Sequence, residues 1–213
     1  SPIFDSAWGA VRPYTTLGGG ACDGILFVIS LGGGTGTGFV NPIVNYIRGT
    51  GSGNYPVFVL AVLTEKGNLA DTEQFAKGDR RNLSAISSMY DLVTKRAGVD
   101  GLILVDNDVL LKRFNNNFAA VDQYLYEAMR PMVAGRDFPG EKPPSLAVRQ
   151  LFTESLPLPP IMVPCFWSER SRPESEKELV EKALSEEGRL CGCDPSQADW
   201  ACIFSRGYLD SAK

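Results

Sequence analysis

Five glycines in seven residues, GGGTGTG at positions 32–38, form the densest chemical signal in this 213-residue chain. The run directly follows an apolar stretch and precedes a helical pattern. Glycines without side chains let main-chain N–H groups close around a large anion, and a helix N-terminus adds unpaired donors and a partial positive charge. A phosphate chain suits that chemistry, with Gly33, Gly34 and Gly36 offering backbone and Thr35 and Thr37 offering hydroxyls. It is not a Walker P-loop, because Phe39 stands six residues after Gly33 where that motif needs lysine. Nor is it a dinucleotide fingerprint, since no three glycines fall at i, i+2 and i+5. The plainer reading is a tight strand-to-helix turn, which rarely needs five glycines.

Other chemistries are narrowed by composition. The chain has no histidine, which removes Ser/His/Asp triads, Cys/His dyads and His-ligated zinc. Cys191, Cys193, Asp194 and Cys202 with Cys165 lack the CxxC spacing of a zinc knuckle, so reduced cysteines and no metal site are expected. Glu65, Asp71, Glu73 and Asp79 are scattered acids that fit a solvated loop, or a place beside phosphates that helps hold Mg²⁺. Lys plus Arg is 21 against 25 for Asp plus Glu, a net charge of −4 with no basic stripe, which argues against nucleic-acid backbone binding. The longest apolar run, residues 56–63, falls far short of the roughly 18 residues of a membrane span. A soluble, cytoplasmic protein is expected.

The elements that must position these residues are legible as alternating patterns. Residues 24–31 (GILFVISL), 56–64 (PVFVLAVLT) and 101–106 (GLILVD) read as strands buried on both faces, the habit of a parallel sheet. Between them, residues 39–48 repeat apolar Val40, Ile43, Val44 and Ile47, and residues 81–96 repeat Leu83, Ile86, Met89, Tyr90 and Val93 at helical spacing. This is a doubly wound α/β layout. From Asn117 a longer, central helix runs through Phe118, Val121, Leu125 and Met129, with Pro131 expected to kink or stop it. Residues 135–160 are proline-rich and mark a boundary between an α/β domain over 1–134 and a partial α+β domain over 161–213. That second part is expected to hold a strand at 161–167, a helix at 173–187 stopped by Gly188, and a strand at 200–205.

GGGTGTG after a hydrophobic strand resembles the signature loop of the tubulin and FtsZ superfamily. That resemblance implies a Rossmann-like GTP-binding domain, GTP or GDP as ligand, Mg²⁺ held through the phosphates, and head-to-tail self-assembly into filaments. Further segments match in order. VFVLAVLT at 57–64 resembles the next core strand, and the loop after it implies Arg81 as a ribose contact. LILVDNDVLL at 102–111 resembles the strand and loop carrying a guanine-binding asparagine, which is Asn107 here. An amide can both donate to and accept from a purine edge; the alternative is that Asp106, Asn107 and Asp108 form a capped turn. NFAAVD at 117–122 resembles the start of the family's central helix, where Phe118 stacks on guanine and Asp122, one turn later on the same face, accepts from its two donors. In isolation, Phe118 in the core and Asp122 as a solvated acid read equally well.

The chain departs from the family in two places. After the central helix the family has a catalytic loop whose acids orient water; aligned from AVRQLF at 147–152, those positions fall on Lys142, Pro144 and Ala147, none a carboxylate. Asp137 and Glu141 lie near, among Pro139, Pro143 and Pro144. Hydrolysis is therefore expected to be slow or absent, and no catalytic residue is assigned. Residues 1–20 match none of the family's opening, so the resemblance covers residues 21–207 and a further half-domain is expected upstream. Two functions follow: a self-assembling filament protein with weak GTPase activity, or a nucleotide-binding structural or regulatory component that co-assembles with a true FtsZ. A small-molecule enzyme on a generic α/β fold is disfavoured by the ordered occurrence of Gly32–Gly38, Asn107, Phe118 and Asp122.

Overall fold

Branched apolar runs pair side by side because both their faces need cover and their main chains need partners. In the computed structural model they form one four-stranded parallel sheet: β1 (Ile25–Ser30), β2 (Val57–Leu63), β3 (Gly101–Asp106) and β4 (Ile161–Met162), in the order β1-β2-β3-β4. The structure describes residues 24–31, 34–49, 56–63, 87–94, 98–133, 160–168 and 175–199, with Pro2, Asp5, Ser6, Gly9, Ala10, Leu83, Ala201 and Ile203. Parallel neighbours need long crossovers. These hold α1 (Gly34–Gly49) between β1 and β2, helical residues 87–93 between β2 and β3, and α2 (Asn107–Arg113) with α3 (Phe118–Val133) between β3 and β4. This is an α/β fold. Among the described residues, no helix is long and apolar enough to cross a membrane.

The sheet has a core on each face. On one, the α1 stripe of Val40, Ile43, Val44 and Ile47 is buried with Leu92 against Val57, Val59 and Ala61. On the other, Leu110 and Leu111 of α2 and Val121 and Met129 of α3 pack with Leu60, Ile103, Val105 and Leu190. Strand β1 departs from the expected two-sided burial: Ile25, Phe27 and Ile29 meet the α1 layer, but Val28 is 67% exposed. The α2 and α3 layer is centred on β2 and β3 and leaves that part of β1 uncovered.

Helix bounds differ from the sequence pattern for local reasons. α1 begins at Gly34, inside the glycine run, rather than at Phe39. Pro131 lies within α3, which is described as far as Val133, so the helix continues past the expected stop. The expected strand at 161–167 shortens to two residues, because Pro164 has no N–H to continue a ladder; Cys165 instead pairs antiparallel with Arg189. The helix expected at 173–187 is α4 (Glu176–Leu184), capped by the Ser175 side chain accepting from Glu178 N–H at 3.1 Å. Of the expected strand at 200–205, only Ala201 and Ile203 are described, and neither is in a strand. Of the boundary at 135–160 only Pro160 is among the described residues, and directly after it β4 extends the same sheet.

Two polar clamps tie these layers. At the N-terminal edge of the sheet, Asp100 accepts from Val57 N–H at 2.6 Å and pairs with the Arg48 guanidinium, whose Nε donates to the Gly98 carbonyl at 2.9 Å. Arg48 also sits in the last turn of α1, where a cation suits the helix dipole. On the other face, Arg113 donates to the Glu186 carbonyl at 2.9 Å and the Arg189 carbonyl at 2.7 Å, and stands over the Tyr124 ring. The Tyr124 hydroxyl donates in turn to the Phe166 carbonyl at 2.9 Å. Replacing Asp100 by alanine removes one acceptor from a buried N–H and from a cation, and is expected to lower unfolding free energy by about 2–3 kcal/mol. Lys177→Ala, which breaks an exposed ion pair on α4, should stay within about 0.5 kcal/mol; urea titrations of both variants beside the parent check the two values.

Candidate functional site

In a parallel sheet every strand ends at the same edge, and the loops there gather ligand-binding groups. Strand β1 ends at Ser30, and α1 starts four residues later, so the glycine run spans that edge. Of the candidate phosphate residues, Gly34, Thr35, Gly36 and Thr37 occupy the first turns of α1, and Gly33 lies outside the described residues. The first turn carries no acid, so nothing on it opposes an anion at the positive end of the helix dipole.

Gly36 has a packing reason of its own. A β-carbon there would stand 2.1 Å from the Ser30 carbonyl oxygen, closer than any real contact, so the helix passes over the strand end only because the side chain is absent. Gly38 differs: no atom lies within 4 Å of where its β-carbon would be. One glycine of the run is therefore demanded by the fold, while Gly38 is not demanded by contact with the protein.

Strand β3 ends at the same edge and passes straight into α2, which begins at Asn107. Adjacent strands are about 4.8 Å apart, so with β2 between them the ends of β1 and β3 are roughly 10 Å apart. The capped-turn alternative accounts for two of the three polar residues here. Asp106 caps α2, its carboxylate accepting from Asp108 N–H at 2.9 Å, and the Asp108 carboxylate pairs with Lys112 at 2.8 Å. The half-buried Asn107 amide makes no hydrogen bond among the described residues. Asp106 N–H donates to the Leu190 carbonyl at 2.8 Å, which fixes the backbone immediately before Asn107.

Phe118 opens α3 and is 60% exposed, so the core alternative for this ring is excluded. The inward stripe of α3 is Val121, Leu125 and Met129, with Tyr124 packed between Phe114 and Phe166. Asp122 is exposed one turn after Phe118 on the same side and makes no ion pair among the described residues. The connecting turn holds Asn115 and Asn116 at φ 50° and 61°, a conformation asparagine tolerates better than most residues. The Asn117 side chain then caps α3, accepting from Ala120 N–H at 3.2 Å. No hydrogen bond joins Phe118 or Asp122 to Asn107 among the described residues. The structure thus brings the α1 start and Asn107 to one edge, with Phe118 and Asp122 beyond α2 on an exposed helix face.

Arg81, the scattered acids at 65–79 and the segment from Asp137 to Ala147 lie outside the described residues. Among those described, no group of three or more Cys, Asp or Glu is placed to hold a metal. Sequence reasoning missed the hydrogen bond from Asp106 to Leu190, which couples residues 84 apart by a main-chain contact and leaves no side-chain signal. No protein-family model matches the chain, and neither does any curated protein.

The two glycines give opposite expectations. Gly36→Ala forces α1 off the end of β1 and should cost about 2–3 kcal/mol of stability. Gly38→Ala, at an open helical position, should raise stability by about 0.5–1 kcal/mol. Thermal melts of the two variants beside the parent check both signs.

Proposed function

We propose that this chain is a guanine-nucleotide-binding protein of the tubulin/FtsZ kind that assembles with itself head-to-tail and hydrolyses GTP slowly. The observation that carries the reading is Asn107: its neighbours on both sides are engaged in the α2 cap, while its own amide remains available at the sheet edge reached by the glycine run. Two others support it, the acid-free first turn of α1 and the outward display of Phe118 with Asp122. The residues present fit the ligand in chemistry.

In this reading, main-chain N–H groups of Gly33, Gly34 and Gly36, with Thr35 and Thr37, hold the phosphates. Asn107 bonds the purine edge, Phe118 stacks on its face, and Asp122 accepts from the ring N–H and amino group that distinguish guanine from adenine. Arg81 reaches the ribose, and Mg²⁺ is carried by phosphate oxygens and water. Slow turnover follows from Lys142, Pro144 and Ala147, which offer no carboxylate to orient water. The same observation favours the second reading, a hydrolysis-deficient filament component that co-assembles with a true FtsZ.

A fluorescent GTP analogue with unlabelled competitors tests the proposal. GTP and GDP should displace it at concentrations at least tenfold below ATP. Asp122→Ala should remove most of that preference, and Asn107→Ala should weaken guanine binding about tenfold, equivalent to about 1.4 kcal/mol. Equal competition by ATP, or no binding at all, would sink the reading. Phosphate release per molecule that climbs with protein concentration favours the self-assembling GTPase; a flat, near-zero rate favours the hydrolysis-deficient component.

A further inference from the structure

We propose that Cys165 and Cys193 are an oxidisable thiol pair that closes as a disulfide within one chain, at the edge of the sheet beside the β3 end. Cys165 lies directly opposite Arg189 in an antiparallel bridge. Such partners are about 4.5–5.5 Å apart at their α-carbons, and their side chains share a face. The Arg189 guanidinium donates to the Cys193 carbonyl, and the Cys193 thiol lies close enough to Cys165 to act on its charge. Cys165 and Cys193 are both half-buried rather than sealed in the core.

The third thiol nearby is in a different setting. Cys191 is 6% exposed, belongs to the buried apolar set, and burial with Asp106 close by pushes its thiol up to about 11. A thiol held protonated is a poor nucleophile. Burial also pushes the Cys165 thiol up, as does the charge of Cys193 close by, while Arg189 opposes both.

The reaction requires a disulfide oxidant such as oxidised glutathione. The Cys193 thiolate attacks one glutathione sulfur, forming a mixed disulfide and expelling one glutathione thiolate. Cys165, as its thiolate, then attacks the Cys193 sulfur, breaking the mixed disulfide and releasing the second glutathione. The protein loses two protons and two electrons; the electrons reduce oxidised glutathione to two thiols. The product would tie the 189–193 segment to residue 165, and Leu190 of that segment already bonds Asp106 at the β3 end.

The full chain is equilibrated with oxidised and reduced glutathione, alkylated, digested with trypsin and analysed by tandem mass spectrometry. The expected product joins the peptide carrying Cys165 to the peptide carrying Cys193, with the bond assigned to Cys193 by fragmentation. It should fall to background in Cys165→Ser and in Cys193→Ser and persist in Cys191→Ser and Cys202→Ser. The melting temperature of the parent should rise on oxidation and stay unchanged in the first two variants, whose reduced melts establish that they fold. A link through Cys191 or Cys202, a link only between separate chains, or fully alkylated cysteines after oxidation would overturn the proposal.

Discussion

Helix α1 crosses the end of β1 at a separation that only glycine permits, with Gly36 over the Ser30 carbonyl. That crossing sets the height of the helix above the sheet and brings its N-terminus to the strand-end edge. With the start fixed, the 3.6-residue period directs Val40, Ile43, Val44 and Ile47 onto the sheet, where each is buried among residues of β1 and β2. The far end of α1 is fixed independently, by Arg48 on Asp100, which also caps the entry to β2. The helix is thus held at both edges of the sheet, by a steric constraint at one and by charge at the other. A dipole positioned this way faces the edge where an anion would bind, without an acid of its own to oppose it.

The other face depends on Arg113. A guanidinium carries five donors and remains charged at any ordinary pH, so a single side chain can satisfy several carbonyls at once. Here it meets the carbonyls of Glu186 and Arg189 and the Tyr124 hydroxyl, drawing the segment after α4 against α2 and α3. That segment supplies Leu190 to the buried core and to Asp106 N–H. Asn107 therefore follows a backbone position held by chain from far beyond it in sequence, and the edge that carries the candidate base contact is shaped by both halves of the protein.

The sheet was legible because β2 and β3 need partners on both faces, which imposes unbroken runs such as VFVLAVL and GLILVD. The same logic overreached at β1, where Val28 is apolar but uncovered; an apolar residue in a sequence says what it tolerates, not what lies over it. Phe118 continues the apolar period of α3, so its sequence left core and surface equally open, and the structure turns it outward. The start of α1 was hidden because glycine is a poor helix former, and tertiary contact at Gly36 overrides that propensity. The start of α4 had a local signal, Ser175 three residues before Glu178, that the more conspicuous Pro173 obscured. The clamps at Asp100 and Arg113 join residues 43 to 76 apart and leave no periodic trace. Of the candidate site, the residue types were readable but their freedom was not: only the structure separates Asn107 from the acids that cap α2.

The central claim is that the edge formed by the start of α1 and Asn107 takes a guanine nucleotide. The most direct measurement denatures the purified protein and separates the released small molecules by ion-exchange chromatography beside GTP, GDP and ATP standards. The account predicts a guanine nucleotide, as intact GTP where hydrolysis is absent or GDP where it is slow. An adenine nucleotide in its place, or protein that releases no nucleotide and then takes up no added GTP, would contradict it.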